Sequence, residues 1–275
     1  MDALTDLLGE AVSFDLQNAQ GESSNCAMIA NGFVADNVDL IMANATPALQ
    51  AAASATGDIP ILGTSVTDYG SALEIDDWSG STGRNISGTT DLAPLDGQAQ
   101  VLSELLPVED YPTIGLLYCT AEANSIYQVN TIRGFLEAMG YTVEDFAFND
   151  SNDIASVVTN ACENCQALYV PTDNTAASNT EAITNVSMSA GIPIIAGEES
   201  ICLGCGIATL SIDYYDLGYK TGEMAYEILV NGADVSTMMV EAAPQFTKEY
   251  VASRAEALGI SIPDDYIAIA EDAAE

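Results

Sequence analysis

VDLIMANATPALQAAASATGDIPILGTSVTD (38–68) and QALYVPTDNTAASNTEAITNVSMSAGIPIIAGEE (166–199) follow one grammar. Each is an apolar run of strand length, a Thr/Pro/Asn turn and a polar-to-alanine helical stretch. Each then continues through Ile-Pro-Ile into a second strand that ends in small polar and acidic residues. A parallel strand buried on both faces reads as a continuous apolar run, and a helix between two such strands makes a βαβ unit. Two copies predict an α/β protein of two doubly wound, Rossmann-like lobes with a hinge and an interlobe cleft. Open α/β sheets take ligands outside the carboxyl ends of their strands, so the cleft is the expected site.

The rest of the chain extends the alternation. Strands are expected at 12–18, 38–44, 59–65 and 85–90, with helices at 22–36, 47–56 and 95–106. A crossing near Glu109–Pro112 leads to strands at 113–119, 141–148, 166–171, 192–196 and 207–212. Helices are expected at 124–139, 152–162, 176–190 and 214–230, and a last strand near 237–242. The expected division is 1–110 plus 211–233 for the N-terminal lobe and 111–210 plus 234–275 for the C-terminal lobe. Met1–Leu8 reads as the tail of an amphipathic helix, whereas such a lobe opens with a strand. The expectation is therefore a fold whose first strand, and a signal with it, lies upstream of Met1.

Composition narrows the function. At 275 residues the chain holds two domains, and 48% apolar residues suffice for real cores. Forty-one acidic residues against five basic ones give a net charge of −36. The cations Arg84, Arg133, Lys220, Lys248 and Arg254 are too scattered to track phosphates, which excludes nucleic acid as a partner. The absence of histidine removes Ser-His-Asp and Cys-His catalysis. No Walker loop or GxGxxG follows a strand, so no cofactor is expected.

The chemistry sits in the polar turns at the expected carboxyl edges, and the candidate ligand-binding residues are Thr46, Asp68, Asp91, Asn124, Ser125, Thr172, Asp173, Glu198 and Asp213. Hydroxyls and backbone N–H groups at helix N-termini suit a carboxylate. Acidic groups such as Asp91, Asp173, Glu198 and Asp213 suit an amine. A zwitterion needs both. Tyr127, Tyr214 and Tyr215 lie beside these turns and could stack on a ring. Thr46, Asn124, Ser125 and Asp173 also fit ordinary helix N-caps, worth about 1 kcal/mol apiece.

QNAQGESSN (17–25), ATP (45–47), GTTDL (88–92), AEANS (121–125), YVPTDNT (169–175), AGEE (196–199) and IDYYDLG (212–218) occur in this order. Together they resemble the ABC transporter substrate-binding proteins of the tryptophan/tyrosine type, which have the type I periplasmic-binding-protein fold. The resemblance runs over nearly the whole chain. It implies an extracytoplasmic, lipid-anchored monomeric receptor that hands an aromatic amino acid or similar small molecule to a membrane permease. It also supports the candidate residues as cleft positions. A sugar or nucleoside is an alternative ligand. A rival class is a two-lobed racemase or lyase, for which Cys119 is the only cysteine near a carboxyl edge.

Cys162-Glu163-Asn164-Cys165 and Cys202-Leu203-Gly204-Cys205 are two CxxC pairs. Local disulfides are the simplest expectation in an oxidising exterior, with zinc and free thiols as alternatives. Cys26 and Cys119 read as small buried apolar residues.

Overall fold

The structure is a computed structural model that describes residues 1–243 and 245–271. In chain order the strands are Ile41–Asn44 (β1), Ile61–Val66 (β2), Ile86–Thr90 (β3), Thr113–Cys119 (β4), Thr142–Phe148 (β5) and Ala167–Val170 (β6). Ile194–Ala196 (β7), Ala208–Ser211 (β8), Glu241–Ala242 (β9), Thr247–Tyr250 (β10) and Ile267–Ala268 (β11) follow. The chain divides into two compact units, Met1–Leu92 with Asp213–Pro244, and Ala93–Ile212 with Gln245–Glu275.

The first unit carries a parallel sheet in the order β1-β2-β3-β9. The second carries the order β11-β10-β8-β7-β6-β4-β5, parallel except where β10 runs against β8. Side chains alternate across a strand, and here both faces are covered. In the second unit Leu117, Leu168 and Ile194 enter one apolar cluster, while their neighbours Leu116, Tyr169 and Ile195 enter another. In the first unit Ile61 packs with Leu49, Tyr69 and Ile86, and Leu62 packs with Leu4, Met224 and Ala225. This two-sided burial is why the strands read as unbroken apolar runs.

Several elements differ from the sequence reading. Residues 12–18 alternate apolar and polar like a half-buried strand, yet β1 pairs with β2 alone and these residues join no ladder. Phe14 and Leu16 are exposed. The expected helix at 176–190 is two pieces, Asn174–Ala177 and Thr180–Ala190. The helices Tyr69–Ala72, Glu199–Cys205 and Ala252–Ala257 and the strands β10 and β11 were not foreseen.

The units also divide elsewhere than at 110 and 233. The helix Leu95–Leu105 buries Leu95, Ala99 and Leu102, with Leu106 just beyond, a helical stripe. Most of that stripe packs with Leu116 and Tyr169 in the second unit. Residues 234–243 stay with the first unit, because β9 pairs with β3 and Ser87 Oγ donates to the Met238 carbonyl at 3.1 Å.

Tyr69 shows how closely the first sheet is built. Its ring stacks on Trp78 with centroids 6.1 Å apart, and its hydroxyl donates to the Thr89 carbonyl at 3.1 Å. That hydroxyl lies over Gly63 and Gly88, and a Cβ on Gly88 would overlap both it and the Gly63 carbonyl oxygen. Gly88 also has φ +141°, outside the range of L side chains. Gly88→Ala is expected to cost roughly 2–4 kcal/mol in urea unfolding. A loss below about 1 kcal/mol would mean that β3 shifts freely at this point.

Candidate functional site

Each unit gathers polar residues at the carboxyl edge of its sheet. In the first unit, Ala45 and Ser65 follow or end β1 and β2 with φ of 77° and 52°. Positive φ in non-glycine residues is strained and tends to cluster at functional edges. Thr46 is buried and opens the helix Thr46–Ala55, which has Pro in its first turn and no side-chain cap. Asp68 caps Tyr69–Ala72, accepting from the Ser71 N–H at 2.7 Å. Asp91 is 4% exposed, and its Oδ2 accepts the Tyr214 hydroxyl at 3.0 Å. Asp213 is exposed and caps the helix Tyr214–Leu229, with Oδ1 accepting from Tyr215 N and Asp216 N at 2.8 and 3.1 Å. The Tyr214 bond therefore brings Asp91 and the Asp213 turn together, while Thr46 and Asp68 stand on separate loops.

In the second unit Asn124, Ser125, Thr172 and Asp173 form one network across the ends of β4 and β6. Asp173 is 1% exposed and accepts from Cys119 N at 2.7 Å, Ser125 Oγ at 2.8 Å and Ala176 N at 2.8 Å. Asn124 Nδ2 donates to the Thr172 carbonyl at 2.9 Å. Glu198 caps Glu199–Cys205 through Ser200 N at 2.7 Å and Ile201 N at 2.5 Å. Thr172 Oγ1 links the two turns by donating to the Gly197 carbonyl at 3.4 Å. Gly197 itself is pressed against the Pro171–Thr172 backbone, where a Cβ would not fit.

Glu122 and Gln128 join this network and were not among the candidate residues. Glu122 lies inside the AEANS stretch and accepts from Asn174 N, Asn174 Nδ2, Thr175 N and Thr175 Oγ1 at 2.7–2.9 Å. Gln128 is fully buried, donates to the Asn124 and Thr172 carbonyls at 3.0 Å, and accepts from Thr172 N at 3.0 Å. Its signal was spacing: it stands four residues after Asn124, on the same helix face.

Burial and the negative charge of Glu122 push Asp173 up to about 7 against its three donors. Burial alone would raise Glu122 as well, but its hydrogen bonds from Thr175 and Asn174 prevail and hold it below the usual range. Glu198 is raised by burial despite the Ser200 and Ile201 donors.

The cysteines depart from expectation. All six are free thiols rather than local disulfides. Cys165, Cys202 and Cys205 lie in the apolar cluster with Leu168 and Ile194, and burial pushes Cys165 and Cys205 up to about 12. Such thiols pack as small apolar groups. Among the described residues no three His, Cys, Asp or Glu side chains converge to hold a metal. No helix among those residues is long and apolar enough to cross a membrane.

Comparison with known proteins agrees with this architecture. The family model described as ABC transporter substrate binding protein matches residues 1–274. A tyrosine-binding protein of Clostridioides difficile (strain R20291) is 37% identical over 221 residues, 80% of this chain. The match spans 63% of that relative's length, less than two thirds of it. The crystal structure of an ABC domain from Streptococcus pneumonia in complex with L-Trp is 34% identical with a TM-score of 0.90, covering 96% of this chain and 88% of that one. The ligand-free, open structure of a substrate-binding protein with adhesive properties from Clostridium difficile is also 34% identical, with a TM-score of 0.73, covering 98% and 91%. The chain belongs to the ABC transporter substrate-binding protein family.

Proposed function

We propose that the protein is the extracytoplasmic receptor of an ABC importer and binds a small zwitterion, an aromatic amino acid of the tyrosine or tryptophan kind. The observation that carries this reading is the 34–37% identity to proteins named for tyrosine or solved with L-Trp. The two units close on the ligand, and the membrane permease reads the closed form. The receptor acts as a monomer, held at the membrane by a lipid anchor.

The edge of the first unit supplies chemistry for both ends of such a ligand. The N-terminus of Thr46–Ala55, without a side-chain cap, offers N–H groups and a positive dipole end to the carboxylate. Asp91, buried on the loop after β3, offers its charge to the ammonium. β1 and β3 are separated by one strand, so these loops stand about 10 Å apart. An amino acid's ammonium-to-carboxylate span plus two hydrogen bonds comes to about 9 Å. Tyr214, whose hydroxyl donates to Asp91, is the ring partner in this reading. Asp68, Asp173, Glu198 and Asp213 shape the edges as caps, and Asn124, Ser125 and Thr172 fix the turns at the carboxyl edge of the second unit.

The racemase reading loses its strongest residue. Burial raises the Cys119 thiol and its Sγ donates to the Asn149 carbonyl at 3.5 Å, so it stays protonated where a cofactor-free racemase needs a thiolate.

Thermal melting against the twenty amino acids, sugars and nucleosides checks the ligand class. At 100 times Kd a ligand adds about 2.7 kcal/mol, a shift of a few degrees. The shift is expected with tryptophan, tyrosine or phenylalanine, and a shift confined to sugars or nucleosides would discard the ligand class. Asp91→Asn is expected to weaken that amino acid about tenfold or more in calorimetric titration. Unchanged affinity would remove Asp91 from the amine's contacts.

The buried carboxylates set a pH dependence. Asp173 keeps its proton up to about pH 7, whereas the unfolded side chain releases it near 3.8. Between those values the folded chain binds more protons, so this group's stabilisation is full below the window and is lost as pH rises through it. Glu122, with its folded value lowered, does the opposite and loses its contribution only as pH falls through that value. The melting temperature should therefore fall more steeply between pH 5 and 8 in the wild type than in Asp173→Asn. Parallel curves for the two proteins would refute the assignment.

A further inference from the structure

We infer that Gln98 is a positioning residue for the ligand-binding edge of the second unit, an assignment that rests on the receptor reading above. Gln98 is 1% exposed and lies in the first turn of Leu95–Leu105. Its Nε2 donates to the Gly197 carbonyl at 2.9 Å and to the Leu210 carbonyl at 3.4 Å. Its Oε1 accepts the hydroxyl of Tyr169, which is fully buried on β6. One amide therefore touches β6, the turn after β7 and the end of β8, three adjacent strands of the sheet.

The three contacts have a fixed sense. The two carbonyls only accept, so they select Nε2 and leave Oε1 to receive the Tyr169 hydroxyl. Only a side chain that both accepts and donates meets that demand, and a carboxylate in the same place would oppose both carbonyls. What the amide holds is the turn that carries Glu198 and receives Thr172. Gly197 N donates to Val170 O at 2.7 Å, and the Gly197 carbonyl takes both Gln98 and Thr172.

Its place along the chain adds to this. The chain enters the second unit at Ala93, five residues before Gln98, and leaves it after Ile212, two residues beyond Leu210. Gln98 thus joins the entering helix to the departing strand at the level of the polar turns. The Gly197 turn, the entering helix and β8 meet at a single side chain.

The test uses Gln98→Leu, which keeps the volume without the hydrogen bonds, and Gln98→Glu. In ligand-free protein, hydrogen exchange of the amides of Gly197, Ser200 and Ile201 should accelerate roughly tenfold or more in Gln98→Leu, while β4 and β5 stay protected. Titration with L-tryptophan should show affinity reduced roughly tenfold or more. Gln98→Glu should resemble Gln98→Leu at pH 8 and recover toward wild-type exchange and affinity at acid pH, where a protonated carboxyl again accepts and donates. A role in stability alone would lower melting temperature and leave exchange at that turn and tryptophan affinity unchanged, which would overturn the inference. If wild type binds no amino acid, the receptor reading fails and the exchange measurement decides the role of Gln98 by itself. If Gln98→Leu does not fold, the pH profile of Gln98→Glu decides, and a flat profile overturns the proposal.

Discussion

A parallel strand that passes into a helix leaves the first N–H groups of that helix without partners. The carboxyl edges of both sheets are organised by that constraint. Asp68, Asp173, Glu198 and Asp213 each turn a carboxyl oxygen onto the N–H groups of the helix that follows. Glu122 extends the device across strands: from the turn after β4 it holds the N–H groups of Asn174 and Thr175, after β6. The turns are locked to one another as well as to their own helices. A carboxyl group engaged in this way is a poor partner for a ligand amine, which is why the proposed reading gives these four residues the role of caps.

Continuous apolar runs made the parallel strands legible. ALYV in β6 and IIA in β7 are buried throughout, and only a sheet covered on both faces demands this. Polar turns at the strand ends were legible for the same reason, since a buried run must stop where the backbone meets water. What failed was partnership. Residues 12–18 have a strand's alternation, but alternation describes one segment and a ladder needs two. The division between units turned on the helix Leu95–Leu105, whose apolar stripe would fit any core and in fact completes the one around Leu116.

That these candidate residues stand in polar turns at strand ends was legible, and the partners of each were much less so. Asp173 and Asp91 look alike in sequence, an acid after a threonine at a strand end. One receives Cys119 N, Ser125 Oγ and Ala176 N, the other a tyrosine hydroxyl from a helix more than a hundred residues away. That difference depends on which loops meet. Gln98 was invisible for a related reason, because a glutamine on a helix normally faces solvent and nothing local announces that this one is buried.

Charge decides how a chain with net charge −36 could hold the carboxylate of a zwitterion. Its few cations are engaged in structure. Arg133 pairs with Asp145, Lys220 with Glu223 and Glu241, and Lys248 with Glu104 and Asp265. Arg254 donates to the carbonyls of Cys202, Leu203 and Gly206 at the end of Glu199–Cys205, and Arg84 to the Leu73 carbonyl. With these side chains engaged, the proposed reading leaves a ligand carboxylate to backbone N–H groups and helix dipoles, which act over the first turn and are fixed by the fold. Binding by such groups requires the helix start to be held rigidly. The hydrogen bond from Ala45 N to the Thr64 carbonyl at 2.9 Å does so by tying the turn after β1 to β2. The same logic explains why an acidic surface is compatible with an anionic ligand group. Surface charges are screened over about 8 Å at physiological salt, whereas N–H groups in direct contact are not. On the receptor reading proposed above, recognition of the carboxylate is therefore a property of the backbone at a strand's end, and the side chains around it serve to hold that backbone still.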